Sequence, residues 1–472
     1  MAARQVKPAD ETDRLLLKTL VDEFEDAGVG LPPAQRARAK QLSDRINEPN
    51  QTFDRNIRDA NVKVPFTDAE LQGVPPAVWK DAKRDGDGRV LLGLDYPTFG
   101  PVTQLAESAA ARERMWRAKT NEGGETNLKL LAEITQLRKE YATLFGAASW
   151  ADFVIRRRMA ETPAKVQAFL GEVKTALQAR ERNEVLELRQ AKATHLGQAL
   201  DATQINRWDV AFYTERVRRE RYAVDQEAFR AYFPPQESLQ FTLRLIERLM
   251  GVRYQRVPDA KAWHPDVQTY AVSDAATGKA LATLWVDLYP REGKFNHAAV
   301  WGLHAASTLQ KRPSQAALVV NFDRKGLTLD ELETLLHELG HAVHNNLTTA
   351  RRVQQAGTRV QRDFVEAPSQ MLEDWVYDKQ VLKLFAQVCP SCKPVPDALI
   401  DKAVAARHYG KGLAESRQHL YASYDLALYG AEPRVPMALW AQMEGDTPLG
   451  HVAGTMFPAG FSHIAGGYSA GY

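Results

Sequence analysis

Along most of the chain the apolar positions recur with the period of a helix, and in one interval they switch to alternation. Leu15 to Phe24 and Pro33 to Asp59 have helical spacing, the pattern resumes around Leu105 to Trp116 and Leu128 to Leu144, and it continues from Pro163 to Arg189. These runs predict an antiparallel helical lobe. Thr67 and Glu70 have the spacing of a capping box, with Phe66 and Leu71 as its hydrophobic staple. Between Val252 and Phe322 the period changes. VQTYAVSD and ALATLWVDLY alternate around a turn at Ala275 to Lys279, and AALVVNF is a short β-rich run, so a small sheet is expected there. SRQHLYASYDLALYG returns to helical spacing. The expected fold class is mainly α with a small β-sheet. It divides into a mostly helical lobe at 1–235, a region with the sheet and a core helix at 236–385, and a helical region at 386–472 ending in a Gly/Tyr loop.

The best specified element is TLDELETLLHELGHAVHNNL, Thr328 to Leu347. Thr328 with Glu331 forms a capping box, and Leu327 can staple to Leu332. Leucines around much of the circumference predict a buried helix that carries His337, Glu338 and His341. Residues at i and i+4 lie one above the other, so both imidazoles can reach one ion at the roughly 2.0 to 2.1 Å of a Zn–N bond, with Glu338 placed to bond a water beside it. The extended HExxHxxGxxH form is excluded, because His344 and Leu347 occupy its Gly and His positions. A third, acidic ligand must come from a later segment. DFVEAPSQMLEDW offers Asp363, Glu366, Glu373 and Asp374, and periodicity does not choose among them. His344, two turns from His337, reads as a supporting or core group.

HELGHAVH followed by DFVEAPSQMLEDWVYD resembles the zinc oligopeptidases of the thimet oligopeptidase, neurolysin and oligopeptidase A family, peptidase family M3. WVDLYPREGKFNHAA and FPAGFSHIAGGYSAGY extend the resemblance through nearly the whole chain. It implies a neurolysin-like zincin with two helical lobes around a deep substrate channel. It also implies one Zn2+ per chain held by His337, His341 and Glu366, with Glu338 as general base and short unstructured peptides as substrates. His463, Tyr468 and Tyr472 would belong to a substrate loop that approaches the scissile carbonyl, with Gly466 and Gly467 supplying backbone freedom. Family members extend beyond both ends of this sequence. A shortened member is therefore expected, with a terminal loop that frays, and a catalytically impaired, zinc-retaining peptide-binding protein is the alternative.

Composition narrows the partners. With 44% hydrophobic and 25% charged residues, and 61 basic against 59 acidic side chains, the 472-residue chain is an ordinary globular sequence, too evenly charged to favour nucleic acid or an anionic membrane. No secretory or membrane-spanning apolar run is present, so a cytoplasmic location is expected. A monomer is the expected oligomeric state. Asp85 to Gly88 reads as a turn, since the remaining calcium ligands are missing. The arginine-rich pieces at 156–159 and 215–222 read as solvated, ion-paired helix faces. Cys389 and Cys392 are expected first as free thiols in a loop, with a local disulfide or an adventitious metal as the alternatives. An edge strand of the sheet, with Asn321 nearby, is a candidate for pairing with an extended peptide.

Overall fold

Helix starts follow local chemistry in the computed structural model, which describes residues 7–472. The Asp10 carboxylate accepts the Asp13 N–H to open the Glu11–Asp26 helix, and the Thr162 hydroxyl accepts the Lys165 N–H ahead of the Pro163–Leu196 helix. Pro33 opens the Pro33–Asp59 helix, where its missing N–H costs nothing. By contacts the chain separates into two units. One comprises the chain up to Val62, Trp116–Arg207 and Gly410–Tyr472, and the other comprises Lys63–Met115 and Trp208–Tyr409.

The first unit is helical. Besides the helices above it contains Gly124–Leu144 and Lys411–Leu428, and its largest core gathers Phe53, Leu131, Ile134, Leu420, Tyr424, Trp440 and Ile464. In RRRM, Arg156 meets Asp26, and Arg157 meets Asp22 at 2.6 Å and Glu25 at 3.1 Å; these arginines are ion-paired but lie half-buried past the end of the short Trp150–Ile155 helix, not on a solvated helix face.

The second unit opens with two short antiparallel strands, β1 (Val64–Phe66) and β2 (Val90–Leu92). Both bonds of the Thr67/Glu70 box form, at 2.9 and 3.3 Å, yet no helix follows them. Gly73 takes φ +92°, where an added Cβ would lie 2.2 Å from the Leu105 carbonyl oxygen, and Pro75 and Pro76 follow. The capped turn is therefore stopped before a second turn can propagate. The expected Leu105 to Trp116 helix is divided as well, one helix ending at Leu105 and another starting at Ala109, where Ser108 accepts the Ala111 N–H. Asp85 accepts the N–H groups of Asp87 and Arg89 with one oxygen, which is the expected turn.

The main sheet has five strands: β3 (Val252–Arg256), β4 (Gln268–Asp274), β5 (Ala280–Asp287), β6 (Ala299–His304) and β7 (Ser314–Val319), in the order β3-β4-β5-β7-β6. Only the β5 and β7 pair is parallel. The Pro235–Met250 and Leu329–Asn346 helices share one core with it, made from Leu239, Leu243 and Ile246, from Leu332, Leu335, Leu336 and Leu339, and from Tyr270, Leu284, Val286 and Leu318. The sheet's edge strands are β3 and β6, and β6 is one the hydrophobic pattern does not announce. Asn321 follows the interior strand β7 instead of lying on an edge, and its amide donates to the Phe295 and His297 carbonyls at 3.0 Å each. It organises the segment leading into β6.

That segment has a second anchor. Asp287, 1% exposed at the end of β5, accepts both guanidinium nitrogens of Arg291 at 2.8 Å, Lys294 Nζ at 2.9 Å and the Trp263 indole at 2.9 Å. Lys294 also donates to the Val320 carbonyl at 2.6 Å, tying the loop to the end of β7. Cys389 and Cys392 form a disulfide, the alternative to the free thiols expected first. The turn closed by the Cys392 N–H on the Cys389 carbonyl brings their Cα atoms to 5.3 Å, within bridging range. Among the described residues no helix is long and apolar enough to cross a membrane.

Burial alone would raise the Asp287 pKa, but the donors from Arg291, Lys294 and Trp263 outweigh it and hold it down to about 2. The resulting stability is present above about pH 4 and is lost as the pH falls toward 2. Asp287→Asn is expected to lower stability by roughly 2 to 3 kcal/mol at pH 7. In thermal unfolding, its gap from wild type should narrow steadily as the buffer is taken down to pH 3.

Candidate metal centre

The Leu329–Asn346 helix starts as its sequence requires. Thr328 Oγ1 accepts the Glu331 N–H at 3.1 Å, and the Glu331 carboxylate accepts the Thr328 N–H at 2.8 Å. Its leucines are buried on the sheet, so the rotational setting of His337, Glu338 and His341 is fixed by packing. The two imidazole centroids stand 5.0 Å apart.

The second contribution comes from the Ala367–Glu373 helix, with Glu366 as its N-cap residue and Pro368 in its first turn. These two helices touch at Gly340. A Cβ there would meet the Ser369 Cα at 2.6 Å and the Pro368 carbonyl oxygen at 3.1 Å, so only glycine allows this approach. The approach carries the Glu366 carboxylate to the imidazoles: Oε2 lies 3.3 Å from His337 Nε2 and 3.0 Å from His341 Nε2. The buried Ser369 hydroxyl, 3.2 Å from the same oxygen, holds it in place. Of the four carboxylates the sequence leaves open, the structure joins Glu366 to the histidine pair.

Glu373 has a different place. Its Oε1 lies 2.7 Å from His337 Nδ1, so it orients the ring from behind. Burial alone would lower the His337 pKa. Glu366 and Glu373 on the two ring nitrogens reverse that and push it up to about 10. A field that retains a proton so strongly also attracts a cation. Glu338, 5% exposed, has its carboxyl pushed up to about 7 by burial, with the charges of His337 and His341 opposing. Its Oε2 is buried without a hydrogen-bond partner. His344, half-buried, is lowered by burial and by His341, and stands apart from the donor group.

The donor set fits a small divalent ion. Ligands about 2.0 to 2.1 Å from a tetrahedral centre are about 3.3 Å from one another, and the carboxylate-to-imidazole distances of 3.0 and 3.3 Å match that edge. The orphaned Glu338 oxygen beside them supplies the acceptor that a ligand of the ion needs.

Two imidazoles from an HExxH helix and one glutamate from a following helix make up the donor set of a metal centre. Residues 102–472 match peptidase family M3, and the chain belongs to that family. It is 30% identical to Oligopeptidase A of Escherichia coli, across 95% of this chain and 70% of that protein, and 30% identical to the Thimet-like oligopeptidase of Dictyostelium discoideum, across 97% and 72%. Saccharolysin of Saccharomyces cerevisiae is 29% identical across 98% and 70%. A crystal structure of a Chlamydophila abortus protein covers the whole chain and 69% of its own with a TM-score of 0.52 at 13% identity, a likeness of fold.

The remaining expected residues belong to the other unit, where they are brought to each other. The His463 ring lies 5.4 Å from that of Tyr468 and 5.6 Å from that of Tyr472. One expectation for this loop needs correction: its end is tied down, since the Ala470, Gly471 and Tyr472 N–H groups all bond Asp425. Gly466, at φ −95° and ψ −138°, uses backbone outside the regions open to other residues, and Ala470 takes the left-handed region at φ +56°.

Glu373→Gln is expected to weaken metal binding about 10- to 100-fold, as loss of an orienting carboxylate behind a histidine does. Gly340→Ala raises intrinsic helix propensity by roughly 1 kcal/mol but drives the two helices apart. Competition against a fluorescent chelator should show weaker metal retention in both variants, with undiminished retention in Gly340→Ala contradicting the role given to this contact.

Proposed function

We propose that the chain is a zinc metallo-oligopeptidase that hydrolyses internal bonds of short, unstructured peptides, with His337, His341 and Glu366 holding the ion and Glu338 as general base. The observation that carries this reading is the convergence of Glu366 Oε2 on both Nε2 atoms, with the buried Glu338 carboxylate next in sequence to His337. Two nitrogens and one carboxylate favour zinc over the oxygen-seeking magnesium or calcium. When bound, such an ion supplies Lewis acidity, acidifying a water and polarising a carbonyl.

The chain's own residues do the rest. Glu338 takes the proton of the attacking water on its unpartnered oxygen and delivers it to the leaving amide nitrogen, a transfer worth about 10² to 10⁴ in rate. Glu373 keeps the His337 ring from turning away. By the family resemblance, the donor to the developing oxyanion is the His463 imidazole, the Tyr468 hydroxyl or the Tyr472 hydroxyl, the last of which would have to give up its bond to Gln418. The outer edge of β6, where Trp301 and Leu303 are exposed, pairs with an extended peptide backbone, and backbone pairing tolerates many sequences. The names of the relatives, oligopeptidases from a bacterium and an amoeba, support peptides as the substrate class.

Cleavage of an internally quenched fluorescent peptide tests the reading. Glu338→Gln should lower kcat by about 10² to 10⁴ while near-stoichiometric zinc remains by plasma mass spectrometry. Equal hydrolysis by wild type and Glu338→Gln would remove Glu338 from the chemistry. A zinc-loaded wild type that binds the peptide without cleaving it would leave a peptide-binding protein. Tyr468→Phe and Tyr472→Phe should each cost up to about 10² in kcat if their hydroxyls serve the oxyanion.

A further inference from the structure

Two buried charges, 287 residues apart in sequence, hold the loop that carries His463, Tyr468 and Tyr472. Arg138, 3% exposed on the Gly124–Leu144 helix, donates to the carbonyls of Ile464 at 3.0 Å, Ala465 at 2.7 Å and Gly466 at 3.0 Å. It donates also to the Tyr429 hydroxyl, which in turn donates a hydrogen bond to the Ile464 carbonyl at 2.6 Å. Asp425, 1% exposed on the Lys411–Leu428 helix, accepts three consecutive N–H groups, from Ala470 at 3.0 Å, Gly471 at 2.9 Å and Tyr472 at 3.2 Å. One charge takes the carbonyls at the loop's start and the other takes the amides at its end.

Between these anchors the chain is pinned once more, by the Trp150 indole on the Ser469 hydroxyl at 3.1 Å. The arrangement holds against local preference. Ala470 sits at φ +56°, a left-handed conformation that costs an L-residue roughly 1 to 2 kcal/mol, and it is this bend that turns successive N–H groups onto a single carboxylate. Leaving three N–H groups and a carboxylate buried and unpaired would cost more, so the bend is kept. Its product is a packed array in which the Tyr472 ring lies 4.9 Å from Phe461 and the Tyr472 hydroxyl donates to Gln418 at 2.9 Å.

We infer that Arg138 and Asp425 are positioning residues of the peptidase reaction: they clamp residues 464–472 from both ends and so fix where His463, Tyr468 and Tyr472 present their polar groups. This rests on the reading that those three side chains meet the scissile carbonyl. A buried fold determinant with no catalytic consequence would show the same bonds, so the test must separate the two.

Asp425→Asn keeps the shape and sets an NH2 group against backbone donors. Arg138→Lys keeps the charge and removes the planar fork. Each should lower kcat on the quenched peptide at least about 10-fold, as small misplacements of reacting groups do, with KM changed by less than about 3-fold and zinc content unchanged. Hydrogen exchange should quicken at the 470–472 amides in Asp425→Asn. If the clamp acts through the tyrosine, Asp425→Asn combined with Tyr468→Phe should lose no more kcat than the worse single variant; losses that multiply would overturn the proposal. Faster exchange with undiminished kcat would overturn it too. The underlying reading fails separately, through wild-type kcat in His463→Ala, Tyr468→Phe and Tyr472→Phe alike. Should Asp425→Asn not fold, Arg138→Lys carries the same cycle from the other end of the loop.

Discussion

The centre depends on one close contact between helices. Gly340 lets the Ala367–Glu373 helix come near enough that the Glu366 carboxylate touches both imidazoles. Each partner is fixed from outside the contact. The histidine helix is set by its capping box and by leucines packed on the sheet, and the glutamate helix by Pro368 in its first turn and by Ser369. Glu373 orients His337 and Ser369 orients Glu366, whereas His341 Nδ1 is buried without a hydrogen-bond partner and its ring is set by packing on the helix.

The electrostatics follow from that packing. Three carboxylates, Glu338, Glu366 and Glu373, surround two imidazoles in a partly buried site. Negative charge exceeds what the histidines can neutralise, and in a low-dielectric setting the imbalance favours a bound cation. Burial sets Glu338 apart from the other two: with no hydrogen-bond partner on one oxygen, it is held ready to accept a proton. The same economy of buried charge recurs away from the centre, in Asp287 with its four donor atoms and in Asp425 with its three amides.

Much of this was legible in the sequence wherever one stretch carries its own instructions. The capping box, the leucine period and the i, i+4 histidines specify the central helix without reference to anything distant. The alternating stretches became β4 and β5 for the same reason. What escaped depends on partners far along the chain. By periodicity the four carboxylates within twelve residues look alike, and only the family resemblance singled out Glu366, which the close contact at Gly340 brings to the histidines. AVWGLH has no clean alternation and became the edge strand through β7. Thr67 and Glu70 formed their bonds and still made no helix, because Gly73 turns into the left-handed region and two prolines follow it. The terminal loop was read from its glycines, while its actual left-handed residue, Ala470, is held by an aspartate 45 positions upstream.

The segmental make-up of the two units constrains how the polypeptide reaches this state. The unit formed by Lys63–Met115 and Trp208–Tyr409 has all its parts once Tyr409 has been synthesised, whereas the other needs Gly410–Tyr472 to close on helices made much earlier. Arg138 waits 326 residues for the Ile464 carbonyl. At roughly 5 to 20 residues per second on a ribosome, the arginine and the apolar faces around it stay in contact with water for tens of seconds, and the helical unit can close only after its last segment is made.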